Sequence, residues 1–228
     1  MPILPRIKRF LATRFDVRFY ERALFFPLYR GPFASIQASK CFSIREELWK
    51  CLFESNDLST KKILYLEFGV WKGASIKKML TFNDNIESRF IGFDTFEGLP
   101  ENWVQAAPAG HFNVGGQTPH IDDPRCAFVK GLFQDTLNNT LDELDLDGFD
   151  TVVVHYDQDL YSATCYCLHE LRHRFGDYYF IFDEFHIDEG RALYNFDQTY
   201  PTETSFTGYV SDGAGYCIQV AGHLTHKA

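Results

Sequence analysis

The sequence has few long apolar runs, few closely spaced cysteines and no excess of positive charge. No apolar run approaches the ~20 residues that a membrane-spanning helix needs. The start of the chain lacks the continuous apolar segment of a signal peptide, because basic residues interrupt it repeatedly. The net charge is −9, whereas a protein that binds nucleic acid must neutralise phosphates with clustered Lys and Arg. We therefore expect no transmembrane segment and no nucleic-acid partner.

The cysteines are too scattered for a disulfide framework or a zinc ribbon. All six stand far apart except Cys165 and Cys167, which are separated by one residue. A scattered set of thiols is typical of a reducing compartment. We expect free thiols and a cytoplasmic protein.

The chain divides at about residue 55. Residues 1–30 carry a net charge of +5, which leaves −14 for the rest, and residues 1–55 have a helical pattern rich in aromatic side chains. We predict a helical N-terminal extension over 1–55 and one ligand-binding domain over 56–228. The aromatic residues of the extension, such as Phe19, Tyr20, Phe25 and Phe26, suit an acceptor pocket, a membrane-surface patch or a partner subunit. Of these we expect packing onto a partner, and hence a homodimer.

Short apolar runs at regular spacing predict a sheet in the second part. Five of them alternate with amphipathic stretches: 63–68, 89–94, 126–130, 151–156 and 178–183. This alternation is typical of a parallel sheet with helices on both faces. Two later runs, 205–210 and 215–221, flank a turn-rich segment and predict an antiparallel hairpin. We predict a mostly parallel, seven-stranded α/β sheet.

The segment ILYLEFGVWKGAS closes the first strand and opens a helix. Gly69 allows a sharp bend, and Gly73 lets a ligand approach without a Cβ in the way. The turn reads Glu-x-Gly-x-x-x-Gly rather than G-x-G-x-x-G, and Glu67 would repel a pyrophosphate. The turn therefore suits a cationic ligand, S-adenosylmethionine (SAM), better than NAD. We predict that Glu67, Gly69, Gly73 and Ser75 bind the cofactor; the alternative is a tight turn with an incidental acid.

The second strand ends in a carboxylate, in the segment RFIGFDTFEG. A carboxylate in this position accepts hydrogen bonds from both ribose hydroxyls of a nucleotide. We predict that Asp94 binds the ribose, that Thr95 also belongs to the cofactor site and that Phe96 stacks on the adenine. The alternatives are a turn-forming aspartate and a core aromatic residue.

Three further acids follow the fourth and fifth predicted strands. Asp157 comes after one strand, and Asp183 and Glu184 come after the next. Parallel strands end at one edge of the sheet, so these acids converge there, and hard oxygen ligands favour Mg²⁺ or a similar divalent ion. For Asp159 we expect only a helix cap. His155 and His186 flank the acids, and each suits a hydrogen-bond partner of the acids or an alternative base. We name His186 as the candidate base; the alternative for both is a structural histidine.

The segment His169–His173 matches H-E-x-x-H, the signature of zinc peptidases. At helical spacing the two histidines fall beside the apolar stripe, and a helix that packs against a strand leaves no cleft over them. A zinc peptidase therefore remains only as an alternative.

Several segments in order resemble the macrocin O-methyltransferase family of antibiotic biosynthesis. They are GFDTFEGLPENW, GHFNVGG, FVKGLFQDTL, YDQDLYSAT and FDEFHIDEGRAL, and they span roughly residues 60 to 195. The resemblance implies the Rossmann-like fold of class I methyltransferases, SAM and Mg²⁺ as cofactors, and methylation of a hydroxyl on a sugar or another natural product. The acceptor is then a small molecule.

The resemblance also implies roles for individual residues. Glu67 and Gly69 correspond to the methionine end of the cofactor site, Asp94 to the ribose, and Gln134 and Asp135 to the adenine. The metal positions correspond to Asp157, Asp183 and Glu184, with Asp157 also the general base. The N-terminal extension and the 100–120 loop are expected to form the lid and acceptor pocket.

The chain departs from the family at two places in the site. The family has adjacent aspartates where Asp183 and Glu184 stand, and a glycine where Gln158 stands. These departures keep open a second function, that of a non-catalytic protein that binds SAM or S-adenosylhomocysteine (SAH) as a scaffold or sensor.

Overall fold

The computed structural model describes residues 33–104, 106–213 and 216–227. Residues 1–32, which include most of the predicted N-terminal extension and its aromatic cluster, lie outside this part of the chain. Among the described residues, no helix has both the length and the apolar character that crossing a membrane requires. All six cysteines are free thiols.

The described chain alternates strands and helices. The helices are α1 (Ala34–Ala38), α2 (Arg45–Ser55), α3 (Ala74–Leu80), α4 (Phe133–Asp142), α5 (Tyr161–Arg172) and α6 (Gly190–Thr199). A 3₁₀ turn covers Leu146–Gly148, and a π-helical turn covers Phe185–Glu189. The strands are β1 (Lys40–Phe42), β2 (Ile63–Phe68), β3 (Arg89–Asp94), β4 (Cys126–Lys130), β5 (Thr151–Tyr156), β6 (Asp177–Phe182), β7 (Thr202–Ser211) and β8 (Cys217–His226).

The strands form one sheet in the order β1-β7-β8-β6-β5-β2-β3-β4. Strand β8 runs antiparallel to both of its neighbours, and the other pairs are parallel. The predicted fold class, a mostly parallel sheet that ends in an antiparallel hairpin, is confirmed. The structure adds an eighth strand, β1, which pairs with β7 at the edge of the sheet.

Helices cover both faces of the sheet, which explains why the central strands are continuously apolar. All six residues of β2 are buried. Leu64, Leu66 and Phe68 pack into the core under α4, α5 and α6, while Ile63 and Tyr65 pack into the core under α2 and α3. Because side chains alternate along a strand, each central strand must supply apolar residues to two cores.

The order of the strands determines where a ligand can bind. The chain leaves β2 toward β3 and β4 on one side and then returns to β5 on the other side of β2. In such sheets ligands bind outside the carboxyl ends of the strands, where the order reverses. Backbone hydrogen bonds hold these ends together, since Asp157 N donates to Phe68 O and Asp183 N donates to Tyr156 O.

Candidate functional site

A cavity of about 630 Å³ lies at the carboxyl ends of β2, β3, β5 and β6. Its size is within the range of about 300–1,000 Å³ that is usual for small-molecule sites. Six carboxylates line it, together with one cationic side chain among the described residues, that of Arg45. The acids are Asp94, Glu101, Asp157, Asp159, Asp183 and Glu184.

The structure brings together eight of the thirteen site residues that the sequence predicts. The eight that line the cavity are Gly69, Ser75, Asp94, Thr95, Gln134, Asp157, Asp183 and Glu184. The other five do not line it: Glu67, Gly73, Phe96, Asp135 and His186. The predicted loop also contributes, since Pro100, Glu101, Trp103 and Phe112 line the cavity.

The two predicted glycines have different neighbours. Gly69 has a φ of +91°, and a Cβ there would stand 1.9 Å from the backbone oxygen of Asp157. Gly69 therefore allows the ends of β2 and β5 to meet. Gly73 has a φ of +75°, and a Cβ there would stand 3.0 Å from the ring of Pro119. The close approach at Gly73 is thus made by the 100–120 loop.

Glu67 is fully buried and acts through its neighbours. Its Oε1 accepts a hydrogen bond from Ser75 Oγ at 2.7 Å, and its Oε2 accepts one from the hydroxyl of Tyr65 at 2.7 Å. Since Ser75 lines the cavity, Glu67 is placed to orient Ser75.

His155 lies between two buried carboxylates. Tyr65 donates its one hydroxyl proton to Glu67, so the Tyr65 oxygen accepts from Nδ1 of His155 at 2.8 Å, and Nδ1 carries a proton. Nε2 lies 3.7 Å from Oδ1 of Asp183. Burial alone would lower the pKa of His155, but the carboxylates of Asp183 and Glu67 outweigh it and raise the pKa to about 10. His155 is therefore an imidazolium at neutral pH.

Asp94 has fewer free lone pairs than the sequence suggests. Its Oδ2 accepts hydrogen bonds from the backbone N–H groups of Val70 and Trp71, both at 2.8 Å, and its Oδ1 accepts one from Phe96 N at 2.7 Å. A carboxylate offers about four lone-pair directions, so one is left on Oδ1. This arrangement has room for one ribose hydroxyl rather than two.

Phe96 and His186, both predicted site residues, pack elsewhere. Phe96 is 1% exposed, and its ring lies edge-on to that of Phe128 at 6.1 Å. His186 belongs to the π-helical turn, where its Nδ1 is 3.6 Å from Oε2 of Glu184. A stacking role for Phe96 and a base role for His186 would each require a different arrangement.

Three acids in the cavity have raised pKa values. Burial, followed by repulsion from Asp183, raises the pKa of Asp157 well above its usual range. Burial and then Glu184 raise the pKa of Asp159 to about 8. Burial and then Asp183 raise the pKa of Glu184 to about 7. Asp159 and Glu184 are therefore poised to gain or lose a proton near neutral pH.

The expectation that Asp159 only caps a helix is wrong. The residue that precedes α5 is Leu160, and no side chain caps that end. Asp159 instead has a φ of +64° and lines the cavity. The left-handed backbone, which aspartate tolerates better than most residues, turns its side chain toward the site.

The predicted Mg²⁺ ligands do not form a metal site in this arrangement. Within 33–104, 106–213 and 216–227, no group of three or more His, Cys, Asp or Glu side chains is placed to hold an ion. Oδ2 of Asp183 is bound by Nη1 of Arg45 at 3.0 Å, and Oδ1 faces His155. Burial opposes ionisation of Asp183, but His155 and Arg45 hold its pKa below the usual range. The positive charges of Arg45 and His155 therefore already neutralise Asp183.

The first histidine of the H-E-x-x-H segment packs against aromatic side chains. The ring of His169 lies edge-on to Phe196 at 5.6 Å and to Tyr200 at 5.1 Å. Since the described residues also include no metal-binding group of three such side chains, nothing in this part of the chain supports a zinc peptidase.

Gln158 and Trp71 are two of the lining residues that the sequence did not predict as site residues. Gln158 is 4% exposed, lines the cavity, and has neither its amide nitrogen nor its oxygen hydrogen-bonded. A buried amide in this state is available to a polar ligand. Trp71, which is 44% exposed, also lines the cavity and packs edge-on against Phe112 at 5.6 Å. The available sequence signals were a Gln at a family glycine position and an aromatic residue next to the Gly69 turn.

No protein-family model matches this sequence, and no curated protein matches it. Among solved structures, the chain is similar to the O-methyltransferase NovP, with a TM-score of 0.51 and 18% identity over 80% of this chain and 79% of that one. The O-methyltransferase from Bacillus cereus, in complex with SAH, gives a TM-score of 0.49 and 13% identity over 94% of this chain and 93% of that one. TomG from Streptomyces achromogenes, in complex with SAM, gives 0.47 and 14% over 100% of both chains. The likeness to NovP shows a shared fold, the Rossmann-like methyltransferase fold that the sequence predicts.

We expect Gly69→Ala to destabilise the protein far more than Gly110→Ala. Both glycines have positive φ, +91° and +82°, but a Cβ at Gly110 would meet nothing within 4 Å. The control should therefore report backbone strain alone, about 1–2 kcal/mol, and the clash with Asp157 should add at least about 2 kcal/mol. Chemical denaturation measures both variants. Equal losses would contradict the close approach at Gly69.

We expect the free energy of unfolding to fall as the pH rises from 6.5 toward 10, with His155 responsible for part of the slope. The folded protein keeps the proton on His155 up to about pH 10, whereas the unfolded chain releases it near 6.5. The unfolded state then binds fewer protons, so rising pH favours it, by up to about 1.4 kcal/mol per pH unit. His155→Gln should flatten this slope, while His120→Gln, at an exposed position, should not. Parallel slopes in all three proteins would contradict the buried imidazolium.

Proposed function

We propose that this protein is a SAM-dependent O-methyltransferase that acts on a hydroxyl group of a small molecule. The observation that carries the proposal is the cavity at the point where the strand order reverses, lined by six carboxylates and bordered by the Gly69 turn. SAM carries a sulfonium and an ammonium group, so acids on the cavity wall suit it better than they suit a phosphate-bearing nucleotide. The fold shared with an O-methyltransferase supports the same function.

Three lining residues are assigned to the cofactor, and a fourth, Gln158, to the cofactor or the acceptor. Asp94 binds a ribose hydroxyl through the remaining lone pair of Oδ1, and Ser75, oriented by Glu67, lies at the methionine end. Gln134, at the start of α4, contributes to the adenine side. Gln158 uses its unpaired amide to bind a polar group of the cofactor or the acceptor.

The cofactor, when bound, supplies a methyl carbon that leaves sulfur, with the bonding electron pair staying on sulfur, and bonds to the acceptor oxygen. Asp157 takes the proton that the hydroxyl loses. Burial and Asp183 raise the pKa of Asp157, which makes its carboxylate a stronger base than an exposed one. A positive charge in the cavity favours the ionised form, so the base is present when the site is filled. Holding the acceptor in line supplies much of the remaining rate.

The acceptor is assigned as a small molecule with both apolar and hydroxyl groups. Trp71, Trp103 and Phe112 give the cavity aromatic lining residues, and aromatic rings bind the apolar faces of sugars and phenols well. The net charge of −9 supports such an acceptor over a nucleic acid. The finer resemblance to the macrocin O-methyltransferase family favours a sugar or another natural-product hydroxyl. The homodimer stays a prediction, because residues 1–32 lie outside the described chain.

We expect the full chain to bind SAM and SAH, and Asp94→Asn to weaken both to the same extent. The two ligands share the ribose, and loss of a hydrogen bond to a carboxylate costs about 1.5–3 kcal/mol, or roughly 10-fold to 100-fold in affinity. Isothermal titration calorimetry measures this. Asp147→Asn, on the exposed 3₁₀ turn before β5 and so at the other edge of the sheet, should bind like the wild type. If the wild type binds neither ligand, the proposed function is wrong.

We expect Asp157→Asn to lower turnover about 10²-fold to 10⁴-fold, the usual contribution of a general base, with SAM affinity nearly unchanged. Turnover is measured as methyl transfer from labelled SAM to a panel of phenols, catechols and glycosides, with Asp147→Asn as the control. A wild type that binds SAM but methylates no acceptor would favour a scaffold or sensor. Full activity in Asp157→Asn would remove Asp157 as the base.

A further inference from the structure

We propose that the guanidinium of Arg45 stands where a divalent ion is expected: it neutralises Asp183 and binds the acceptor oxygen beside Asp157. The inference rests on the proposed function for its second half, the acceptor contact. Its first half, the replacement of an ion at Asp183, rests on the geometry of the described residues alone.

Helix α2 places Arg45 at the site. Its residues Leu48, Trp49, Leu52 and Phe53 are each at most 1% exposed and pack into the core on one face of the sheet. Arg45 is the first residue of this helix, and its guanidinium carbon lies 5.0 Å from the ring of Trp49, one turn further along. The packing of α2 therefore fixes the base of the side chain, and Trp49 supports its charged end.

Trp49 also ties the helix to the buried acids. Its ring lies edge-on to that of His155 at 5.4 Å. Arg45 and His155 thus approach Asp183 from two elements that are packed against each other. Nη1 of Arg45 is 3.0 Å from Oδ2, and Nε2 of His155 is 3.7 Å from Oδ1. Asp183 is 5% exposed, so the low local dielectric makes both attractions strong.

This arrangement leaves no suitable place for a hard divalent ion at Asp183. Mg²⁺ requires near-octahedral oxygen ligands at about 2.0–2.1 Å, and the guanidinium already takes a lone pair of Oδ2. A dication would also meet two protein cations at close range. Asp157 belongs to the same electrostatic group, because its charge interacts with Arg45. The positive charge of Arg45 thus interacts with two of the three predicted ion ligands, Asp183 and Asp157.

Arg45 still has donors to offer. A guanidinium has five N–H groups in a planar fork, of which the structure pairs one, on Nη1, with Asp183. The Nε of Arg45 lies 3.8 Å from Glu46, beyond hydrogen-bond distance, and the side chain lines the cavity. An N–H group directed at the acceptor oxygen would hold the hydroxyl beside Asp157 and stabilise the negative charge that develops as the proton leaves.

The test of the first half is a Mn²⁺ titration followed by electron paramagnetic resonance, which needs no acceptor. The wild type, with and without SAH, should show no saturable binding of Mn²⁺. Arg45→Gln removes the charge but keeps a polar side chain, so it frees Asp183, and one-to-one binding should then appear. Lys50→Gln, which removes an exposed cation from the same helix, should behave like the wild type. Saturable binding in the wild type, or none in Arg45→Gln, would overturn the inference.

The second half is tested with the best acceptor from the panel. Wild-type turnover should survive EDTA to within about twofold, and Arg45→Gln should raise the acceptor KM about tenfold or more with SAM affinity unchanged. A merely structural role would move the melting temperature without this selective change in KM. Activity that EDTA abolishes and Mg²⁺ restores, or an unchanged acceptor KM in Arg45→Gln, would overturn the acceptor contact. If the wild type fails to bind SAM, the proposed function fails, yet the Mn²⁺ titration still decides the first half.

Discussion

The site depends on how its negative charges are neutralised. Six carboxylates share one cavity, and carboxylates taken out of water at close range cannot all ionise unless cations stand between them. The structure reduces this repulsion in two ways. Arg45 and His155 keep Asp183 ionised, while the pKa values of Asp157, Asp159 and Glu184 rise. Asp183 is therefore ionised, and the three acids with raised pKa values respond to a cation that enters the cavity.

That charge balance constrains the fold around it. Arg45 reaches Asp183 only because α2 packs on the sheet, and His155 stays charged only because β5 lies beside β2, opposite Glu67 in register. The Gly69 turn must lack a Cβ so that the loop after β5 can approach. Residues that are more than a hundred positions apart in the chain meet because parallel strands end at the same edge. The topology of the sheet thus brings the charged residues close together, and the attraction between their buried charges favours this one arrangement of the side chains.

Most strands and many site residues could be predicted from the sequence. The others could not, and the reason can be given for each. The pattern of short apolar runs predicted the strands and that most of them run parallel, because burial on two faces leaves a strong pattern. It missed β1, since three residues are too few to show a period. The acids at the strand ends were predicted to converge, and three of them, Asp94, Asp157 and Asp183, line one cavity. Arg45 was missed because nothing local marks a surface arginine whose partner lies 138 residues away. Asp159 was misread because its left-handed backbone follows from the turn, not from its neighbours in sequence.

The difference between a bound ion and a guanidinium at Asp183 has consequences for how an acceptor is chosen. A divalent ion binds oxygens from several directions and favours acceptors that present two of them, such as vicinal diols. A guanidinium is planar, carries a single charge and donates hydrogen bonds only along its fork. It therefore selects a hydroxyl by direction and by what packs beside it. In this cavity the packing surface is aromatic, from Trp71 and Phe112. Recognition then rests on a single well-placed oxygen next to an apolar face, and not on chelation. A guanidinium held by a packed helix is also present from the moment the chain folds, so the charge at Asp183 does not depend on the supply of an ion.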